Sequence, residues 1–137
     1  MPRPEADDSG RGVGGASRDE DQWIEWLRRR NRRYGGEKIG DDAAVLPAEG
    51  PLAVTVDTQI AGVHFLPELD PAIVARRLLA VNLSDLAAMG AKPAYAFLAL
   101  TTAPGFDLAR FFDALLEAGA DHGVELAGGD LTRAGCV

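Results

Sequence analysis

The stretch DPAIVARRLLAVNLSDLAAMGA, which occupies residues 70–91, predicts a long helix. Asp70 is a residue type that caps helix N-termini, and Pro71 suits the first turn, where its missing N–H is not needed. The apolar pattern continues to about Met89, and Gly90 is typical of a residue that ends a helix.

Asp85 is an unexpected residue on this helix. It lies seven positions after Leu78, so at 3.6 residues per turn the two side chains project in nearly the same direction, and the other sides of the helix are apolar too. Burying an ionised carboxylate there is costly unless a cation meets it. Asn82, one turn earlier, adds a neutral oxygen on the same side. The pattern indicates a bound cation, an ion pair with Arg76 or Arg77, or a cap elsewhere in the chain.

Helices and short strands alternate on both sides of this helix. We predict, in order, a helix at 20–33, a short strand that ends near Leu46, a strand at 52–56, the long helix, a strand at 94–100, a helix at 107–121 and a strand at 124–127. This order predicts an α/β (α+β) fold, in which a mixed four-stranded sheet carries its helices on one face. Residues 1–19 lack a hydrophobic period and are predicted to be a disordered tail, which leaves residues 20–137 as the domain.

The two other helices differ in their surfaces. The helix at 107–121 is predicted to bury an apolar stripe that consists of Leu108, Phe111, Phe112, Leu115 and Leu116. The helix at 20–33 ends in a cluster of five arginines. These arginines either complement the negative end of the helix dipole or bind phosphate.

Composition and charge limit the classes of function. The formal net charge of −7 argues against a nucleic-acid partner, because a phosphate backbone would be repelled. No apolar run approaches the roughly 20 residues needed to cross a bilayer, so no membrane partner is expected. A single cysteine, Cys136, is typical of a protein of the reducing cytoplasm. An acidic protein can still hold nucleotides if divalent metal ions stand between the charges.

Acidic residues occur at the ends of apolar segments or inside one, at Asp41-Asp42, Asp57, Asp85 and Asp130. Each could be a turn aspartate that bonds its own backbone. Together they favour a hard cation such as Mg²⁺, which takes oxygen ligands. Gly128-Gly129, just before Asp130, would let the backbone approach a phosphate closely. The sequence has no zinc-type cluster, Walker loop or nucleophile elbow, so a nucleotide site must be of another type.

Four motifs occur in the order and spacing of a known family. They are IGDDAAV at 39–45, DT at 57–58 with GVHF at 62–65, AVNLSDLAAMGA at 80–91, and GGDLTR at 128–133. Together they resemble the successive motifs of thiamine-monophosphate kinases, over roughly residues 37–133. The wider superfamily, similar to aminoimidazole ribonucleotide synthetase and selenophosphate synthetase, shares a shorter form of the third motif. The resemblance therefore implies the N-terminal domain fold of this superfamily.

The resemblance also implies a reaction and a set of site residues. The reaction is ATP-dependent phosphorylation of thiamine monophosphate to thiamine diphosphate with several Mg²⁺ ions. Metal ligands carry over to Asp42, Thr55, Asp57, Asp85 and Asp130, with Asp41 as a neighbour. Gly129 and Asp130 match the nucleotide contact. His64 matches a substrate contact, although a histidine beside Phe65 could also be a core residue. Val56 stands where the family often has a metal-binding threonine, so only its backbone carbonyl could serve.

Electrostatics agrees with metal-assisted transfer that uses no catalytic side chain. Both substrates are polyanions, and each like-charge pair at about 4 Å costs roughly 4 kcal/mol at an effective dielectric near 20. Bound Mg²⁺ would offset this repulsion and align the γ-phosphoryl group for in-line attack. The attacking phosphate oxygen is already ionised, so no strong general base is required.

The resemblance further predicts that the chain is an N-terminal fragment, inactive alone, because in the family a second α/β domain completes the active site. In the family, two N-terminal halves pair their sheets, which predicts a homodimer. Two other functions remain open. One is an ATP-using superfamily member with a different phosphoryl acceptor, and the other is a non-catalytic dimerisation module.

Overall fold

The computed structural model describes residues 20–40, 43–47 and 49–134. Within them the chain forms three helices and two strands, in the order α1 (Glu20–Arg32), α2 (Pro71–Ala88), β1 (Tyr95–Thr102), α3 (Leu108–Asp121) and β2 (Glu125–Arg133). Each of these elements coincides with a predicted one, although β2 is longer than expected. No helix in this part of the chain is long and apolar enough to cross a bilayer.

β1 and β2 form a parallel pair that α3 connects. The register runs from Tyr95 opposite Glu125 to Thr102 opposite Arg133, with an irregularity after Ala96. Parallel strands cannot be joined by a tight turn, so their connection has to be long, and a helix fills it here. The prediction that the last strand ends at residue 127 is wrong, because β1 supplies backbone partners for six more residues.

α3 forms the centre of the core. The Asp107 carboxylate caps it by accepting from the backbone N–H of Arg110 at 3.0 Å. All five residues of the predicted stripe are buried, and Phe111 is 0% exposed. The Phe111 ring lies 5.8 Å from that of Phe106 and 5.5 Å from that of Phe112, in the tilted and edge-on geometries that aromatic pairs favour. Helical periodicity thus correctly predicted the buried face.

α2 packs the first half of its length against the core. Its buried residues are Ala72, Val74, Ala75 and Leu79. Asp70 caps the helix as predicted, accepting from the Ala72 N–H at 2.9 Å. The same carboxylate accepts from Arg110 of α3, at 2.7 Å from Nε and 2.5 Å from Nη2. The Arg110 hydrogen bond is the main reason that the pKa of Asp70 falls to about 2. The cap therefore also ties α2 to α3.

α1 is joined to the rest of the domain by polar contacts as well as by its tryptophans. Asn31 is 2% exposed, and its Nδ2 donates to the backbone carbonyl of Leu126 in β2 at 3.0 Å. Arg30 forms an ion pair with Asp113 of α3. One member of the arginine cluster therefore fastens α1 to α3, a role that the sequence did not indicate.

Two of the predicted strands are not seen in the part of the chain that the structure describes. The described parts of 43–46 and 52–56 have no strand pairing, and the sheet of the described residues has two strands instead of four. Val45, Val54 and Val56 are 89%, 82% and 87% exposed. A segment becomes a strand only when a neighbouring backbone completes its hydrogen bonds, and an apolar pattern does not specify that neighbour.

Candidate cation site

The side chains of Thr55 and Asp85 meet, although they are 30 residues apart in the sequence. Thr55 Oγ1 donates to Oδ2 of Asp85 at 2.8 Å. Thr55 lies in the irregular segment before α2, and Asp85 lies in the last turn of α2. Folding thus brings together two of the residues that were predicted to bind metal.

Asp85 is exposed, contrary to what its apolar neighbours suggested. The buried face of α2 is confined to its first half, so the later apolar residues surround the carboxylate without covering it. The arginines considered as partners bond elsewhere: Arg76 pairs with Glu117 at 2.9 Å, and Arg77 donates to Gln59 at 2.9 Å. The partner of Asp85 is a neutral hydroxyl and not a cation, so this exposed carboxylate is available to a bound cation.

The backbone of Asp57 is hydrogen-bonded to α2, one turn before Asp85. Its backbone N–H donates to Oδ1 of Asn82 at 3.1 Å, and Nδ2 of Asn82 donates to the carbonyl of Leu78 at 2.9 Å. The two ends of the Asn82 amide therefore have different partners, which fixes its orientation. The Asp57 side chain is exposed. We call Thr55, Asp57, Asn82 and Asp85 the candidate cation site.

His64 lies in a turn after this segment. Its Nδ1 accepts from the Ile60 N–H at 3.0 Å, and its own backbone N–H donates to the Ile60 carbonyl at 2.8 Å. The ring is exposed, so the alternative that His64 is a core residue is wrong, whereas Phe65 does pack against the core. Because Nδ1 accepts, the neutral ring carries its proton on Nε2 and can donate to an anion there. The substrate role stays a prediction.

Gly129 and Asp130 lie inside β2 and not in a loop. Gly129 has a φ of +147°, and a Cβ at this position would collide with the backbone carbonyl oxygen of Leu98 in β1. The close approach that requires glycine is therefore made to a neighbouring strand. Asp130 is exposed and accepts from the hydroxyl of Thr132 at 3.0 Å. The nucleotide role of both residues stays a prediction.

The donors that come together fit an open magnesium site better than a closed one. Among the residues that the structure describes, no group of three or more His, Cys, Asp or Glu side chains is placed to hold a metal ion. Asp41 and Asp42 lie outside the described residues. The Thr55 hydroxyl and the Asp85 carboxylate are hard oxygen donors. Mg²⁺ commonly uses one or two carboxylates, and water and substrate phosphates complete its shell.

The sequence interpretation missed the contact between Gln59 and Arg77. The alternation of Val54 and Val56 with polar residues predicts a segment whose apolar side is buried. Both valines are exposed instead and the polar side meets α2, so this pattern gave no signal of the contact.

Three comparisons with known proteins agree on one family. Residues 40–137 match the family model described as AIR synthase related protein, N-terminal domain. The thiamine-monophosphate kinase of Escherichia coli strain K12 is 52% identical, over 69% of this chain and 30% of that protein. Those of Haemophilus influenzae and Caulobacter vibrioides are 44% and 48% identical, over 69% and 66% of this chain. The chain spans about 30% of the length of these curated relatives.

A solved structure has a similar fold. The crystal structure of thiamine-monophosphate kinase from Stenotrophomonas maltophilia K279a matches with a TM-score of 0.66 and 40% sequence identity. The match covers 82% of this chain and 37% of that one.

Proposed function

The chain belongs to the family of AIR synthase related proteins, as their N-terminal domain, and on this premise we propose that it is the cation- and nucleotide-binding part of a thiamine-monophosphate kinase. The proposed reaction is ATP-dependent phosphorylation of thiamine monophosphate to thiamine diphosphate. The contact between Thr55 and Asp85 carries the proposal, because it joins two predicted ligands that the sequence places far apart. The relatives' names support the choice of thiamine monophosphate over another acceptor.

The first group of proposed site residues binds the cation. Thr55, Asp57 and Asp85 supply oxygen ligands at one place on α2, and Asp42 and Asp130 are proposed as further ligands. When bound, Mg²⁺ would neutralise the phosphate oxygens and align the transferred group. The exposed carboxylates would attract the cation, and the bound cation would supply the positive charge that Lys or Arg side chains provide in other nucleotide sites.

The two remaining proposed contacts are made to substrates. Gly129 and Asp130 are assigned to ATP, and His64 is assigned to thiamine monophosphate. The proton on Nε2 would let His64 donate to a phosphate or another acceptor without first gaining a proton. No side chain is proposed as a general base, because the attacking phosphate oxygen is already ionised.

We also propose that two copies associate through the sheet, with the segments near residues 45 and 54 completing a four-stranded sheet in each copy. Exposed apolar side chains support this: Phe97 on β1 is 57% exposed, and Val54 and Val56 are more exposed still. Pairing would cover these side chains and complete their backbone hydrogen bonds. Sedimentation equilibrium should give twice the chain mass, and Val56→Lys should shift the population to monomer. A monomeric wild-type chain at high concentration contradicts this.

The chain alone is expected to bind cation and nucleotide with little turnover, because its match covers 30% of the length of the relatives. A cytoplasmic location stays a prediction from the sequence. Activity is therefore best tested in a chimera, in which this chain replaces the matching region of the Escherichia coli relative. The chimera should convert thiamine monophosphate and ATP to thiamine diphosphate in the presence of Mg²⁺.

Two variants of the chimera test the site. Asp85→Asn removes the charge proposed to bind the cation and should lower activity by at least about a hundredfold, since charged contacts in such sites are worth several kcal/mol. Asp121→Asn removes an equal charge from the exposed end of α3 and should leave activity unchanged. A folded chimera without activity, or one that tolerates Asp85→Asn, contradicts the proposed function.

A further inference from the structure

Three side chains of α2 contact every second residue of the segment before it. Asp85 accepts from Thr55, Asn82 accepts from the backbone N–H of Asp57, and Arg77 donates to Gln59. We call these three contacts the α2 clamp.

Residues 55–59 run antiparallel to α2, and the three contacts of the α2 clamp follow one register along the helix. From residue 77 to residue 85 the helix rises about 12 Å at 1.5 Å per residue. Four residues of nearly extended chain span about 13 Å. The matching lengths explain how contacts at every second residue can all form at once. A shift of one residue would place Val56 where Asp57 now lies.

The middle contact differs from the other two in kind. Thr55 and Gln59 are held by their side chains, which can turn without moving the backbone. The Asn82 contact is made to the backbone itself, and the orientation of Asn82 is fixed by its second bond, to Leu78. Asn82 therefore determines where the backbone of Asp57 sits.

We propose that Asn82 is a positioning residue: by accepting from the Asp57 N–H it sets the register of residues 55–59 on α2, so that Thr55 and Asp57 are presented beside Asp85. The step from register to cation binding rests on the proposed function. The role proposed for Asn82 is to position the backbone of Asp57 and not to bind the cation directly.

The contact is tested first without any cation, by amide hydrogen exchange of the 137-residue chain followed by NMR. Asn82→Leu keeps the side-chain size and removes the acceptor, so the Asp57 amide should exchange about tenfold faster, the effect of losing one hydrogen bond. Asn82→Asp keeps an acceptor oxygen and should restore protection. Asn82→Ala, which adds no bulk and favours the helix, should behave like Asn82→Leu and serves if that variant fails to fold. Unchanged protection at Asp57 in both Asn82→Leu and Asn82→Ala overturns the proposal.

The link to the cation is tested by calorimetric titration with Mg²⁺ alone. Asn82→Ala should weaken binding about tenfold, whereas Ser84→Ala, at an exposed position on the same turn, should leave it unchanged. Urea unfolding should show the two variants to be similarly stable. If the wild-type chain binds no Mg²⁺, the proposed function fails. If the wild-type chain binds and Asn82→Ala binds equally well, the positioning role alone fails.

Discussion

Gly129→Ala should destabilise the fold even when no nucleotide is present. Its φ of +147° lies where an L-residue is strained, at a cost of about 1–3 kcal/mol. The added Cβ would also overlap the backbone of Leu98, lying 2.8 Å from its nitrogen. Backbone in a paired strand can move little, so this overlap adds roughly 1–3 kcal/mol. The total is about 2–6 kcal/mol, which at roughly 4 °C per kcal/mol lowers Tm by about 8–24 °C in a chain of this size.

Gly128→Ala provides a matched control. A Cβ at Gly128 would lie 3.3 Å from the ring of Phe97, which is 57% exposed and can turn away. Gly128 is outside the positive-φ glycines, so its backbone accepts alanine, and the net change should stay below about 1 kcal/mol. Urea unfolding followed by tryptophan fluorescence, without Mg²⁺ or nucleotide, measures both variants. Equal stability of the two variants would show that Gly129 is not required by strand pairing.

Three further predictions concern the helices. Phe111→Ala should lower the free energy of unfolding by about 3–5 kcal/mol, because the ring is fully buried; a loss below about 1 kcal/mol in urea unfolding would place it outside the core. Asn31→Ala should cost about 1–3 kcal/mol by leaving the buried carbonyl of Leu126 without its donor, and an unchanged urea midpoint would refute that contact. The pKa of Asp70 is lowered from its ordinary 3.8 to about 2 by Arg110, so its stabilising effect is complete above pH 3.8 and is lost as pH falls through about 2. Thermal unfolding of wild type and Asp70→Asn should therefore differ at pH 6 and converge near pH 2; a constant difference contradicts the pairing.

Much of the fold could be predicted because helix signals are local. The caps at Asp70 and Asp107 bond to backbone N–H groups two or three residues away, so the sequence nearby is sufficient to identify them. The buried stripe of α3 follows from 3.6-residue geometry in the same way. The strand predicted at 52–56 is not paired in the structure, since a strand depends on a partner that is distant in the sequence and that the local pattern does not specify.

The candidate cation site was predicted in part. Its residue types followed from the resemblance, and the structure brings Thr55 to Asp85 and the backbone of Asp57 to Asn82. The sequence pattern could not predict that Asp85 would be exposed, because its burial depends on which face of α2 meets α3. Gly129 was assigned to nucleotide binding, and the structure adds a requirement from strand pairing that no local pattern carries.

The sequence by itself determined the helices, their caps, the buried face of α3 and the motifs of the family, because these depend on covalent geometry and on neighbours within a few residues. Only the tertiary structure decided which side chains of α2 hold the segment before it, which acids stay exposed, and why residue 129 is glycine. Those features depend on contacts between residues 18 to 31 positions apart in the sequence, including contacts between the two strands. The free energy of such contacts depends on how the elements pack against one another, and the local sequence pattern does not specify that packing.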